Sequence, residues 1–242
     1  MDRCALLPWR AAPDGLIPAC VTAPTALSDA AEAVARDLLQ IGAVALRPAE
    51  PFTWASGRLS PVYTDNRLTL AYPEVRARLT NAFAALVGGL PAPPDVIAGT
   101  ATAGIPHAAW LADRLGLPMA YVRARPKGHG RGNQIEGRVD RGQGVVLVED
   151  LISTGGSVAD AGRALRDAGA HVDAVLAVFT YGLPESADAL AHDGYAVRAL
   201  TDLATLARVA RQDGSLGDED LDTLDAWRAD PGAWSAARGG AS

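Results

Sequence analysis

Residues 145–157 read VVLVEDLISTGGS, a continuous apolar run that ends in two acids and then in a loop of serine, threonine and glycine. An apolar run without polar alternation belongs to a strand buried on both faces, which a mostly parallel sheet covered by helices on each side provides. The acids stand at the strand's carboxyl end, the edge at which open α/β sheets hold ligands. Glu149 and Asp150 are acceptor-only groups, suited to two vicinal ribose hydroxyls or to water around a cation. Ser153, Thr154 and Ser157 then offer hydroxyls, while Gly155 and Gly156 let backbone N–H groups approach a phosphate at the start of the next helix. The loop has neither GxxxxGK(S/T) nor GxGxxG, so it is no Walker A or dinucleotide fingerprint. An ordinary glycine-containing turn explains STGG alone; the buried strand and acid pair before it weigh against that bland reading.

The rest of the chain alternates short apolar runs with helical patterns. Strands are predicted at 95–100, 119–124, 144–150 and 171–180, with helices at 106–115 and 155–167 between them. Such alternation makes βαβ units around a parallel sheet with right-handed crossovers. Upstream, a helix is expected from Ser28 or Asp29 as N-cap, with Val34, Leu38, Leu39 and Ile41 as its apolar stripe, and a second helix from Pro73 to Leu86. Between them, 51–70 is too rich in turn formers for a helix and reads as short strands and turns. Two helices are expected at 202–212 and 218–229. Residues 1–27 read as an irregular extension and 232–242 as a loose tail, leaving a single domain at 28–231, divided into a small hood at about 28–72 and a core at about 73–200.

The 242 residues carry a net charge of −6, which argues against a general nucleic-acid surface. An anionic ligand therefore needs a local basic patch, and one stands at Arg123, Arg125, Lys127, Arg131, Arg138 and Arg141. Lys127 is the only lysine in the chain, which marks a role for a compact ammonium, although codon bias leaves the same trace. KGHGRG around it has three glycines in six residues, a segment able to open for substrate and close over it. Cys4 and Cys20 fit neither a disulfide framework nor a metal site. No apolar run spans a bilayer, and a cytoplasmic setting without membrane partner is expected.

VVLVEDLISTGGS resembles the signature of the type I phosphoribosyltransferases, which bind 5-phosphoribosyl 1-diphosphate (PRPP). FTWASGRLSPVYTDNRLTL and IAGTATAGIPHAAWLADRLGLPMAYVRARPKGHGRGNQIEG are similar to the orotate-specific members, in order, over about Ser28 to Pro231. ATAGIP resembles one branch of them. The resemblance implies the type I fold, a central mostly parallel sheet flanked by helices with an N-terminal hood. It also implies transfer of the phosphoribosyl group from PRPP to orotate, giving orotidine 5′-monophosphate and pyrophosphate. Mg²⁺ would be held mainly by the substrate and water, with no metal site of the protein's own.

Carried over residue by residue, the resemblance gives Glu149 and Asp150 the ribose hydroxyls, and the remaining PRPP contacts to Leu151, Ile152, Ser153, Thr154, Gly155, Gly156 and Ser157. Arg123, Lys127 and His129 take the pyrophosphate; Lys127, His129 and Asp150 form the catalytic set; Ser153 and Tyr63 face orotate. The loop carrying Arg123, Lys127 and His129 would reach into a neighbouring subunit's site, making a homodimer. Ala55, Ala103 and Ala124 stand where other members carry lysine, and FTYGLPE lacks an arginine that some members use against orotate. Phe52 and Trp54 are read as core more readily than as pocket, Asp65 and Arg67 as an ion pair bracing the hood, and His107, His171 and His192 receive no role. The rivals are a type I transferase for another base and a PRPP-sensing regulator; the hood resemblance weighs against the first, Lys127 and His129 against the second.

Overall fold

A computed structural model describes residues 24–125 and 134–241, with side chains from Asp29 onward. Arg131, Lys127 and His129 lie outside the described residues, as do Cys4, Cys20 and most of the expected N-terminal extension. Helix α1 (Pro24–Gln40) leads into four short strands, β1 (Val44–Leu46), β2 (Phe52–Thr53), β3 (Leu59–Ser60) and β4 (Val62–Thr64), then a 3₁₀ helix at Asn66–Ala71 and α2 (Pro73–Gly88). The core runs β5 (Val96–Thr100), α3 (Gly104–Leu115), β6 (Met119–Val122), β7 (Ile135–Glu136), β8 (Gly144–Ile152), α4 (Gly156–Asp167), β9 (His171–Thr180), α5 (Pro184–His192), β10 (Val197–Asp202), α6 (Leu203–Gln212), α7 (Asp218–Ala229) and α8 (Pro231–Ala236).

Six strands form the main sheet in the order β10-β9-β8-β5-β6-β7, parallel except for the β6–β7 pair at one edge. β8 shows why a continuous apolar run is needed. Val146 and Val148 join Leu38, Leu79, Phe83, Leu111 and Leu203 on one face of the sheet. Val145 and Leu147 join Val158, Leu165 and Leu190 on the other. Successive side chains point to opposite faces, so a strand packed on both sides has no polar position to spare.

Several boundaries differ from the expectation. α1 starts at Pro24, so Ser28 and Asp29 lie inside the helix rather than capping it; a proline at the first turn costs no hydrogen bond and presets the helical φ. The polar β10 is a fifth parallel strand that the pattern did not disclose, because an edge strand needs no apolar run; its Val197 is exposed.

The tail expected to be loose is packed. Trp234 and Ser235 are buried, Leu59 N donates to Ser235 Oγ at 2.9 Å, and Ala241 N donates to Gly57 O at 2.9 Å. The hood is therefore not N-terminal alone. Its β1–β4 and β2–β3 ribbons are completed by the chain's last residues.

Candidate active site

From β5 the chain steps to β6 on one side of the sheet, whereas β8 leads to β9 and β10 on the other. The carboxyl ends of β5 and β8 thus flank the topological switch point, where a crevice opens. Two glycines bring α3 down to it. A Cβ on Gly99 would lie 2.9 Å from Gly104 O, and one on Gly104 would lie 2.6 Å from Thr100 Oγ1 and closer still to Val148 O. Thr100 Oγ1 donates to Val148 O at 3.1 Å, tying the ends of the two strands together.

The acid pair follows. Glu149 is buried, and desolvation, with Asp150 as a hydrogen-bonding neighbour, pushes its carboxyl up to about 8. Asp150 is half-buried; its N–H donates to Glu149 Oε1 at 3.0 Å, and its carbonyl accepts Asn66 Nδ2 at 2.7 Å. Among the described residues no cation forms an ion pair with either acid. A carboxyl that burial holds protonated at neutral pH, beside a second carboxyl group at a switch point, can both donate to and accept from the hydroxyls of a bound sugar.

Next comes the anion cradle. Gly155 caps α4 at φ +83°, a left-handed conformation that glycine adopts without steric cost, and a Cβ there would press within 3.1 Å of Leu190 Cγ. No side chain caps α4 and no acid lies in its first turn. Among the described residues no side chain partners its first N–H groups, which stand with the positive end of the dipole at the crevice. Thr154, Gly156 and Ser157 are exposed and Ser153 half-buried. Ile152 packs its side chain in the core and accepts Thr180 Oγ1 at 3.1 Å through its carbonyl, so it can meet a ligand only through its backbone.

Arg123 sits at the end of β6, across a cavity of about 100 Å³ lined by Thr100, Ala101, Ala124, Ser157 and Asp160. Its N–H donates to Gln134 O at 2.9 Å, Gln134 Nε2 donates back to its carbonyl at 3.1 Å, and its guanidinium lies 3.7 Å from Glu136. Arg123 and Gln134 are thus clamped to each other beside the crevice.

On the hood side, Tyr63 is exposed with its ring 5.6 Å from that of Phe52. Trp54 is half-buried against the core, stacked on Tyr181 at 6.4 Å and edge-on to Trp227 at 6.3 Å. Asp65 and Arg67 pair at 2.7 Å, and that bond holds the Asp65 carboxyl below its ordinary range. His107 is buried behind the β5–α3 loop between Phe83 and Trp110, and desolvation pushes its pKa down to about 4. His171 and His192 are exposed.

Residues 70–203 match the phosphoribosyl transferase domain. The chain is 54% identical to the orotate phosphoribosyltransferase of Bacillus subtilis (strain 168) over 198 residues, 82% of this chain and 92% of that one. This chain belongs to the orotate phosphoribosyltransferases. As a member it transfers the 5-phosphoribosyl group from PRPP to orotate, forming orotidine 5′-monophosphate and pyrophosphate in pyrimidine biosynthesis. The crystal structure of orotate phosphoribosyltransferase from Aeropyrum pernix is 35% identical, with a TM-score of 0.64 over 76% of this chain and 99% of that one. The Mycobacterium tuberculosis H37Rv enzyme in complex with PRPP is 26% identical, with a TM-score of 0.56 over 74% and 98%.

For an orotate phosphoribosyltransferase the geometry adds two residues that sequence reasoning passed over. Asn66 anchors the hood to Asp150, and Thr100 ties β5 to β8. Neither had a local signal: the Asn66 bond joins residues 84 apart in the chain.

Proposed function

We propose that the crevice divides the substrates as follows. The 5′-phosphate of PRPP sits on the N-terminus of α4 with the hydroxyls of Ser153, Thr154 and Ser157. Glu149 and Asp150 hold the ribose hydroxyls, and the pyrophosphate points toward Arg123, Lys127 and His129. Orotate lies between Ser153 and Tyr63. The observation that carries this reading is the uncapped start of α4 directly after a buried acid pair with no described cation partner, both at the switch point.

The chemistry follows from that placement. Orotate N1 attacks C1 of the ribose while the bond from C1 to the pyrophosphate oxygen breaks, so positive character grows on the sugar and negative charge on the leaving group. Asp150 stabilises the first by its negative charge; Arg123, Lys127 and His129 stabilise the second, and preorganised charge of this kind lowers the barrier without reorganisation during the reaction. Among the described residues no three potential ligands converge on a metal; the Asp150 and Glu149 side chains would meet a substrate-bound Mg²⁺ through its waters, and the ion would supply neutralisation of the pyrophosphate charge. A cytoplasmic homodimer, with Arg123, Lys127 and His129 serving the partner's crevice, completes the reading.

The test is subunit mixing, followed by the loss of orotate absorbance with PRPP and Mg²⁺. Lys127→Ala and Asp150→Ala should each lose at least about a hundredfold in turnover, the scale of a preorganised charge contact. Mixed in equal amounts, they should regain about a quarter of wild-type activity, since half of the dimers are mixed and each of those keeps one undamaged site. No recovery would refute sharing across the interface, and full activity of either variant alone would refute its assigned role.

A further inference from the structure

Orotate carries a carboxylate, and a site that selects it needs a cation facing the base side of the crevice. Ala55, Ala103 and Ala124 provide none. Arg123 lies across the cavity beside Ser157, on the leaving-group side. Arg67 is placed differently. The residue before it, Asn66, is almost fully buried and donates from Nδ2 to Asp150 O at 2.7 Å, which pins the start of the 3₁₀ helix onto the acid pair. Asn66 Oδ1 is buried without a hydrogen-bond partner, an arrangement retained only where something else holds the residue in place. Arg67 thus starts one residue from the Asp150 contact, and its charge feels both Asp150 and Tyr63.

The guanidinium is also oriented. Its Nε donates to Asp65 Oδ1 at 2.7 Å, and the same oxygen accepts the Arg67 backbone N–H at 3.2 Å. With Nε taken, the edge formed by the two terminal nitrogens makes no hydrogen bond among the described residues, and the side chain is 67% exposed. A planar guanidinium with a free two-nitrogen edge matches a carboxylate in bidentate fashion.

Resting on the site assignment above, we infer that Arg67, oriented by Asp65 and carried to the acid pair by Asn66, receives the carboxylate of orotate and selects it over pyrimidines that lack one. Asp65 and Asn66 are positioning residues; Arg67 touches the substrate.

The experiment measures KM for orotate and for PRPP separately in wild type, Arg67→Ala and Arg67→Lys, with uracil as the substrate without a carboxylate. Loss of a charge-assisted pair of hydrogen bonds should raise KM for orotate roughly ten- to hundredfold in Arg67→Ala, leave KM for PRPP within about twofold, and shrink the preference for orotate over uracil by the same factor. Arg67→Lys should recover the charge but not the bidentate geometry and fall between the two. An orotate KM within about twofold of wild type, or orotate and PRPP constants rising together, overturns the inference. Failure of the underlying site assignment reads differently: Asp150→Ala would then leave KM for PRPP unchanged, whatever Arg67→Ala does to orotate.

Discussion

The half of the crevice proposed for the sugar phosphate is shaped by backbone, the half proposed for the base by side chains. On the first, α4 offers bare N–H groups, Gly155 turns at positive φ against Leu190, and Gly99 and Gly104 let α3 press onto β5 and β8. On the second, the hood is held by Asn66 on Asp150, Asp65 on Arg67, and Ser235 under Leu59. A phosphate and a ribose are invariant parts of PRPP, so under that proposal rigid main chain can receive them without adjustment. A base has to be told from other bases, and that discrimination resides in particular side chains that can be exchanged without rebuilding the sheet.

The sharpest break between the halves should come from Gly104→Ala. The added methyl would overlap Val148 O and Thr100 Oγ1, and neither the strand nor α3 can retreat without disturbing Glu149. Overpacking of this kind costs about 3 kcal/mol. It should lower the midpoint of urea unfolding and remove most turnover together, because the displaced strand end carries the acid pair. Wild-type stability and activity in this variant would show that the close approach is incidental.

Acid should find the same half. His107 has its pKa lowered by burial from 6.5 to about 4, so the folded state holds it neutral while the unfolded chain takes up a proton. Its contribution is present above pH 6.5 and is lost as the pH falls from there toward 4, a total of about 3 kcal/mol. Stability against pH for wild type minus that for His107→Leu should show this slope in that window and be flat above it. A difference that does not change with pH would mean that the ring is solvated.

What was legible in the sequence follows the same division. The β8–α4 unit could be read from 145–157 because its determinants are local: an apolar run, two acids and two glycines in order. The resemblance then carried the hood segment to its family, but the hood's construction was hidden. Residues 232–242 read as a loose tail because Ser235 finds its partner 176 residues away at Leu59, and Ala241 finds its partner at Gly57. Asn66 was passed over for the same reason, and the reading of Trp54 as core rather than pocket gains its particulars only when Tyr181 and Trp227 are seen around it. β10 escaped because its exposed edge relaxes the demand for apolar residues that made β8 plain.

The smallest expected effect tests whether the hood is truly separate. Ser235 is fully buried; its Oγ accepts Leu59 N–H at 2.9 Å and donates to Ala241 O, so one hydroxyl joins β3, α8 and the end of the chain. Ser235→Ala leaves the Leu59 N–H and the Ala241 carbonyl without that partner and should cost about 1–2 kcal/mol. If the hood is held by its own contacts, the loss is local: amide exchange at Leu59 should quicken and KM for orotate rise, while KM for PRPP stays near wild type. The reason is geometric, since β3 precedes the strand that carries Tyr63 and leads on to Arg67, whereas among the described residues no hydrogen bond from α8 reaches β8 or α4. A matching rise in both constants would mean that the last helix supports the whole crevice, and the contrast between a backbone-built half and a side-chain-built half would have to be given up.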